Sequence, residues 1–125
     1  MAQKFHRHQV IVDGAMASTN TLTSAVTDMI GMSNGSYQMV WTGTPTGNAT
    51  SWILEVSNDY DPHRTANATW TVATIATAPT NPAGSASNTG LDLGTDFPWR
   101  ACRLKYVNAS GTGTLQVWFA GKGHS

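Results

Sequence analysis

The stretch WRACRLKYVNASGTGTLQVWFA, residues 99–120, decides the fold class of this chain. Apolar and polar side chains alternate on both sides of a short central turn. The two apolar rows are Cys102, Leu104, Tyr106 and Leu115, Val117, Phe119. Side chains two apart in a strand share a face, so 99–107 and 114–120 are predicted to be half-buried β-strands. Residues 108–113 are rich in turn formers, so we predict that the two strands form a β-hairpin.

Alternation recurs along the rest of the chain and predicts seven or eight antiparallel strands in all. The further strands are expected at 5–12, 22–26, 37–42, 51–56, 70–75 and 89–93. Turn sequences separate them, among them Asp13-Gly14 and residues 33–36. No segment has the period of a helix. Short strands at intervals of about 10 to 15 residues predict an all-β, jelly-roll-like β-sandwich.

Chain length predicts a single domain over residues 1–125. We expect residues 1–4 and 122–125 to be termini that are flexible or bound at an interface. Residues 76–90 show no periodicity and contain Pro79 and Pro82, so they are predicted to be a long loop. Loops of that length in a compact domain are typical of contact arms or functional loops.

The charge balance weighs against several classes of partner. Seven basic residues face seven acidic ones, and charged residues are only 11% of the chain. The groupings closest to basic patches are Lys4, His6, Arg7, His8 and Arg100, Arg103, Lys105, which we interpret as solvated strand faces. We therefore predict no nucleic-acid partner. No apolar run is long enough for a membrane span, and the first seven residues lack a signal peptide's apolar middle, so synthesis in the cytoplasm is expected.

Candidate catalytic and metal-binding residues are few. Cys102 is the single cysteine and lies on the apolar side of its strand, which predicts a buried, unreactive thiol. Glu55 lies within the predicted strand 51–56, on its polar side. His6 and His8 share a strand face, but no third ligand is indicated nearby. We predict no catalytic residue, no cofactor and no metal site, and therefore no enzyme.

Five tryptophans are many for this length. Trp41, Trp52 and Trp70 follow the apolar alternation of their strands and are predicted to be core residues. Trp99 and Trp118 fall opposite the apolar rows and are predicted to point outward. An outward indole can stack on a sugar ring or be buried by a neighbouring subunit, and we favour the interface.

Several landmarks occur in a recognisable order. They are YQMVWTGT at 37–44, EVSND at 55–59, Trp70-Thr71, WRACRL at 99–104, GTGT at 111–114 and GKG at 121–123. This succession, over residues 23–123, resembles small structural proteins of bacteriophage virions. The chain departs from the family pattern by inserting residues 60–69 between Ser-Asn-Asp and Trp-Thr.

The resemblance implies a non-enzymatic virion protein, of the capsid decoration, cement or minor head type. It implies a homo-oligomer, with a trimer expected, whose partners are other virion proteins, the major capsid protein or tail proteins. We expect one contact face to contain Trp99, Arg100, Arg103 and Trp118, and the 76–90 loop to contribute Pro79 and Pro82. The alternatives are a tail or fibre component, or a carbohydrate-binding module that attaches the particle to a host glycan.

Overall fold

The computed structural model describes residues 3–64, 68–75, 77–94 and 96–124, with side chains described for 6–64, 68–75, 77–94 and 96–123. Its regular structure is entirely β. The strands are β1 (Gln3–Met16), β2 (Thr21–Thr23), β3 (Thr27–Asp28), β4 (Met32–Gly43), β5 (Trp52–Ser57), β6 (Thr71–Val72), β7 (Ser87–Asp92), β8 (Ala101–Val107) and β9 (Gly113–His124).

These strands form two antiparallel sheets that pack face to face. Sheet A has the order β1-β9-β4-β7, and sheet B has the order β2-β8-β5-β6, with β3 also paired to β8. β2 overlaps the strand predicted at 22–26, and β3 follows that range directly; both pair with β8, and counted as one strand they bring the total to eight. Nearly every connection then crosses from one sheet to the other, in the order of a jelly roll. The predicted fold class, an all-β jelly-roll-like sandwich, is confirmed.

The hairpin predicted at 99–120 is wrong, although its alternation is right. β8 lies between β2 and β5 in sheet B, whereas β9 lies between β1 and β4 in sheet A. The side chains of the two apolar rows are all fully buried in one core: Cys102, Leu104, Tyr106, Leu115, Val117 and Phe119. The rows meet across the core because residues 108–112 carry the chain from one sheet to the other.

This crossing is built around a buried amide. The Asn108 side chain is 1% exposed, and its Nδ2 donates to the carbonyl oxygens of Ala17 and Gly111, both at 2.9 Å. Its Oδ1 accepts a 2.8 Å hydrogen bond from the Tyr106 hydroxyl. Gly111 has φ +75°, and a Cβ there would lie 2.0 Å from the Thr44 carbonyl oxygen. The corner therefore requires glycine at this position.

Two predicted turns lie inside strands. β1 continues through Asp13-Gly14 to Met16, because register shifts against β9 occur between Gln9 and Ile11 and again before Gly14. Val10 and Ile11 are adjacent residues, which a regular strand would place on opposite faces, but the register shift buries both of them in the core. Residues 33–36 belong to β4, which pairs with β9 there. The strand predicted at 70–75 is reduced to the two residues of β6.

The ends of the chain pair with each other where they are described. Residues 3–4 oppose 123–124 at the last rungs of β1 and β9. Residues 1, 2 and 125 of the predicted flexible or interface-bound termini lie outside the described residues.

Two core indoles hold the predicted loop against the sandwich. Trp41 is 2% exposed and donates from Nε1 to the Ser85 carbonyl at 2.9 Å, and Trp52 donates to the Thr80 carbonyl at 3.1 Å. The loop ends at residue 86, where β7 begins, and residue 76 lies outside the described residues. The predicted burial of Trp41 and Trp52 is confirmed, and it also explains how a proline-rich segment without strand pairing is fixed.

We predict that Asn108→Ala destabilises the protein by about 3 kcal/mol, since it leaves the buried Tyr106 hydroxyl and at least one carbonyl without a partner. Urea unfolding followed by circular dichroism measures this. Asn88→Ala, on the exposed side of β7, is the matched control and should change stability little. Equal losses in the two variants would contradict the assignment of the corner to Asn108.

Candidate functional site

The residues predicted to form one contact face lie on different surfaces. Trp118 is on the outer side of sheet A, between Gln9 of β1 and Gln38 of β4. Arg103 is on the outer side of sheet B, where it opposes Glu55 of β5. The thickness of the core separates the two side chains, so they do not belong to a single face. Their role as interface residues stays a prediction.

The outer side of sheet B carries a cluster of charged and aromatic side chains. Arg103 Nε donates to Glu55 Oε1 at 2.7 Å, and Lys105 Nζ lies 3.9 Å from Glu55 Oε2. The Arg103 guanidinium also lies 4.2 Å from the ring centre of Trp70. Trp70, predicted to be in the core, is therefore on the outside, where a desolvated guanidinium gives it a favourable cation–π contact. Tyr60 packs beside it at 6.3 Å.

The same surface carries the inserted segment. Asp59 Oδ1 accepts hydrogen bonds from the Ser57 hydroxyl at 2.7 Å and from the Thr69 amide at 2.8 Å, which closes the segment at its base. The hydrogen bond from Ser57 is the main reason that the pKa of Asp59 is lowered to about 2. Residues 65–67 of the insertion lie outside the described residues. The insertion ends directly before Trp70, the residue that contacts the Arg103 guanidinium.

Arg100 is occupied within the chain. Its Nε and Nη2 donate to the two oxygens of Asp28 at 3.0 and 3.3 Å, and its backbone N–H donates to Asn58 Oδ1 at 3.0 Å. Desolvation raises the pKa of Asp28, but the hydrogen bonds from Arg100 and from the Ile30 backbone N–H, together with the Arg100 charge, outweigh it, so the pKa of Asp28 is lowered. This bidentate pair ties β3 to the start of β8.

Pro79 and Pro82 are buried within the protomer. The expectation that these two residues contribute to an interface stays a prediction, but their rings pack against the protomer itself. The backbone explains why: Gly47 N–H donates to the Pro82 carbonyl and Gly84 N–H donates to the Pro45 carbonyl, both at 2.8 Å. These bonds hold the loop against the chain segment that follows β4.

Trp99 lies at an open edge of the sandwich and not on an outer face. This edge, between β6 and β7, holds a cleft whose apolar lining is half-buried and packs against the core: Ala73, Ile75, Leu93, Phe97 and Trp99. The prediction that Trp99 points outward is only partly right, because its ring is half-buried. We call this feature the edge cleft.

Trp118 is an exposed aromatic side chain on sheet A, with 38% of its surface accessible, so its predicted outward orientation is confirmed. The next pair of β1 and β9 that faces the same way as Trp118 is Arg7 and Ala120, and Ser36 of β4 opposes Ala120 on its other side. Arg7, Ser36, Gln38, Trp118 and Ala120 line a shallow groove. We call it the Trp118 groove.

Two of the reactive groups singled out in the sequence, Cys102 and His8, contact neighbouring side chains within the protomer. Cys102 is fully buried, 3.1 Å from the Tyr37 hydroxyl, and burial raises its pKa to about 11, so its predicted burial is confirmed. His8 Nε2 lies 3.3 Å from Thr27 Oγ1 and its ring packs on Phe119 at 5.5 Å. Burial, with a smaller contribution from His6, lowers the pKa of His8.

Metal-binding and membrane-spanning features were sought in the same ranges. Among the described residues, no three His, Cys, Asp or Glu side chains are grouped as a metal site would need. The described part of the chain also contains no helix that could cross a membrane.

We predict that Cys102 reacts with Ellman's reagent at least ~100-fold more slowly in the native protein than in the urea-unfolded chain, because the thiol is buried and its pKa is raised. The time course of absorbance in native buffer and in urea measures this. Comparable rates in the two conditions would contradict the buried setting.

Arg103→Ala should destabilise the protein by about 2 kcal/mol, because Glu55 is largely buried and keeps only the longer contact with Lys105. Loss of the Trp70 contact adds to this. Urea unfolding measures the change, with Arg64→Ala on the exposed insertion as the control. If the two variants lose the same stability, the cluster does not fasten the insertion to sheet B.

The chain matches no family model, and no curated protein is similar to it in sequence. Solved structures share its fold. The VP2 subviral particle of infectious bursal disease virus is 12% identical with a TM-score of 0.60, over 98% of this chain and 33% of that chain. The structure of the Gx strain of that virus is 12% identical with a TM-score of 0.58, over 100% of this chain and 34% of that chain. The PBSX exported protein XepA is 20% identical with a TM-score of 0.54, over 96% of this chain and 37% of that chain. The chain thus spans about a third of each of these structures and has their β-sandwich fold.

Proposed function

We propose that this chain is a non-enzymatic structural protein of a bacteriophage particle, made in the host cytoplasm and incorporated into the virion. The observation that supports it most is the jelly roll that the described residues form, which is similar to the fold of VP2 in a subviral particle. The likeness to the PBSX exported protein XepA and the order of landmarks between residues 23 and 123 support the same assignment.

The use of the ionisable groups favours a structural role. The Arg100–Asp28 and Arg103–Glu55 pairs fasten segments of the chain to each other, and Asp59 closes a loop. None of these groups points into the edge cleft or the Trp118 groove, whose linings contain no pair of carboxylates. A general acid and base would have to converge on one cavity, so hydrolytic chemistry has little support.

The edge cleft is the surface that we propose for assembly. Ile75, Leu93, Phe97 and Trp99 are half-buried in the isolated protomer, so a neighbour needs to cover only their remaining apolar surface. Burying apolar area contributes roughly 25 cal/mol per Å², and aromatic side chains are frequent anchors at such contacts. We propose a homo-oligomer, with a trimer as the expected state, held at this edge.

Within the particle, we propose a decoration, cement or minor head role, in which the oligomer binds the major capsid protein and stabilises the shell. A tail or fibre position is the alternative within the same class. The low charge of the chain suits either, since copies at net charge zero do not repel one another when they pack side by side.

We predict that the purified protein self-associates and that Trp99→Ala weakens this about tenfold or more while the protomer stays folded. Sedimentation velocity over a concentration series measures association, and circular dichroism checks the fold. Val12→Ala is the control, because Val12 is 65% exposed on β1, at the opposite edge of sheet A.

Binding to purified particles of the encoding phage, measured by co-sedimentation, tests the location. A protein that stays monomeric at high concentration and does not bind these particles would contradict the proposal.

A further inference from the structure

The Trp118 groove has the layout of a ligand site on an otherwise flat sheet. Its floor consists of Ala120 and Ser36, two small residues paired across β9 and β4. Trp118, two residues before Ala120 on β9, forms one wall of the groove. Lys122 follows on the same face of β9 in the opposite direction, so the indole and the ammonium stand on either side of the small floor. Their Cα atoms are ~13 Å apart, from the rise of four strand residues.

Polar side chains around this floor have unused hydrogen-bonding capacity. Within the described residues, Arg7 and Gln38 form no side-chain hydrogen bond or ion pair. Gln9 and Gln116 are occupied instead: the Gln9 amide donates to Gln116 Oε1, and Gln116 Nε2 donates to Asp13 Oδ1 at 2.6 Å. Gln9 lies beside Trp118 on β1, and Gln116 lies on the far side of Trp118 from the floor. The free donors of Arg7 therefore lie on the floor's side of the ring.

The charge on this surface has a definite sign. Arg7 opposes Ala120, and Lys122 is two residues along β9, so both cations flank the floor. Asp13 is engaged by Gln116 on the other side of Trp118. Asp92 of β7 pairs directly with Ser36, so one carboxylate lies at the β7 end of the floor, where it accepts the Gly94 N–H. The two cations Arg7 and Lys122 outnumber this one carboxylate, and the positive side of the groove lies beside Arg7 and Trp118. The charge on that side complements an anion.

We infer that the Trp118 groove binds an acidic sugar, a pyranose ring that carries a carboxylate or a sulfate. The indole supplies a flat apolar face for the C–H side of the ring. The Arg7 guanidinium binds the anionic group, since its planar fork matches carboxylate and sulfate oxygens, and Lys122 adds a second charge. Ser36 and Gln38 provide neutral partners for ring hydroxyls.

A second copy of the chain fits this surface less well. Around Trp118 the neighbours are mainly amides, a hydroxyl and charged groups, whereas the fully buried centre of a protein interface is mostly apolar. A two-fold contact centred on the indole would also bring two Arg7–Lys122 pairs into one interface, where like charges repel. The apolar anchors for self-association lie at the edge cleft instead.

The test uses isothermal titration calorimetry with three tetrasaccharides: a galacturonate (carboxylate), a heparin fragment (carboxylate and sulfate) and the neutral maltotetraose. We expect at least one acidic probe to bind with a dissociation constant below about 1 mM, and maltotetraose to bind much more weakly. Trp118→Ala should weaken binding about tenfold or more, and Trp118→Phe should weaken it less, because it keeps an aromatic face.

Arg7→Gln should weaken binding severalfold, whereas the matched variant Arg64→Gln, which removes a cation from the insertion, should leave it unchanged. No binding of either acidic probe would overturn the inference. If the two arginine variants weaken binding equally, or if Trp118→Ala has no effect, the binding is nonspecific attraction between charges. Either result would also overturn the inference. If Trp118→Ala instead dissociates an oligomer, a second copy covers the groove. This test measures sugar binding at the Trp118 groove and not self-association at the edge cleft. The inference about sugar binding and the proposed function can therefore fail separately.

Discussion

The structure depends on the meeting of two apolar rows that belong to consecutive strands but to opposite sheets. Leu104 and Tyr106 of β8 and Val117 and Phe119 of β9 are fully buried, and β8 and β9 are each inner strands of their sheets. Each row can be buried only if the chain between them crosses the core, so the crossing at 108–112 is as important as the side chains themselves. A buried Asn108 is the solution, because its amide supplies at the corner the hydrogen bonds that a hairpin would have supplied between strands.

Around this core, a chain with few charges uses them to fasten segments that carry little strand pairing. β3 is two residues long and is held by Asp28 to Arg100. The inserted segment is held by Arg103 beneath Trp70. Partly buried pairs of this kind are screened less by salt than exposed ones. The two loop-fixing indoles, Trp41 and Trp52, serve the same purpose with backbone carbonyls as partners.

Sequence alternation predicted which side chains are buried far better than it predicted which strands pair. Trp52, Leu54 and Val56 share a buried face as expected, and so do the rows of β8 and β9. Pairing was missed because Asn-, Gly- and Ser-rich connections suit both a hairpin and a crossing between sheets. Val10 and Ile11 are both buried because a bulge shifts the register, and no local pattern signals that. Trp70 was misplaced for a different reason: it alternates with Val72 as predicted, but Val72 pairs with Glu55 on the outer side of sheet B, so this apolar pair faces away from the core.

The two candidate surfaces differ in how far a sequence can reveal them. Trp118 could be predicted as exposed from its own strand, but the groove beside it joins Arg7, Ser36 and Ala120 from three strands, and only the register of β1 and β4 on β9 brings them together. That register also keeps the groove on sheet A, whereas the edge cleft lies between β6 and β7. A sheet packed on one side only leaves its other side free. The proposed assembly surface therefore lies at the edge of the jelly roll and the proposed ligand site lies on the face of sheet A, and they meet at Asp92, which lines the edge cleft and pairs with Ser36 of the groove.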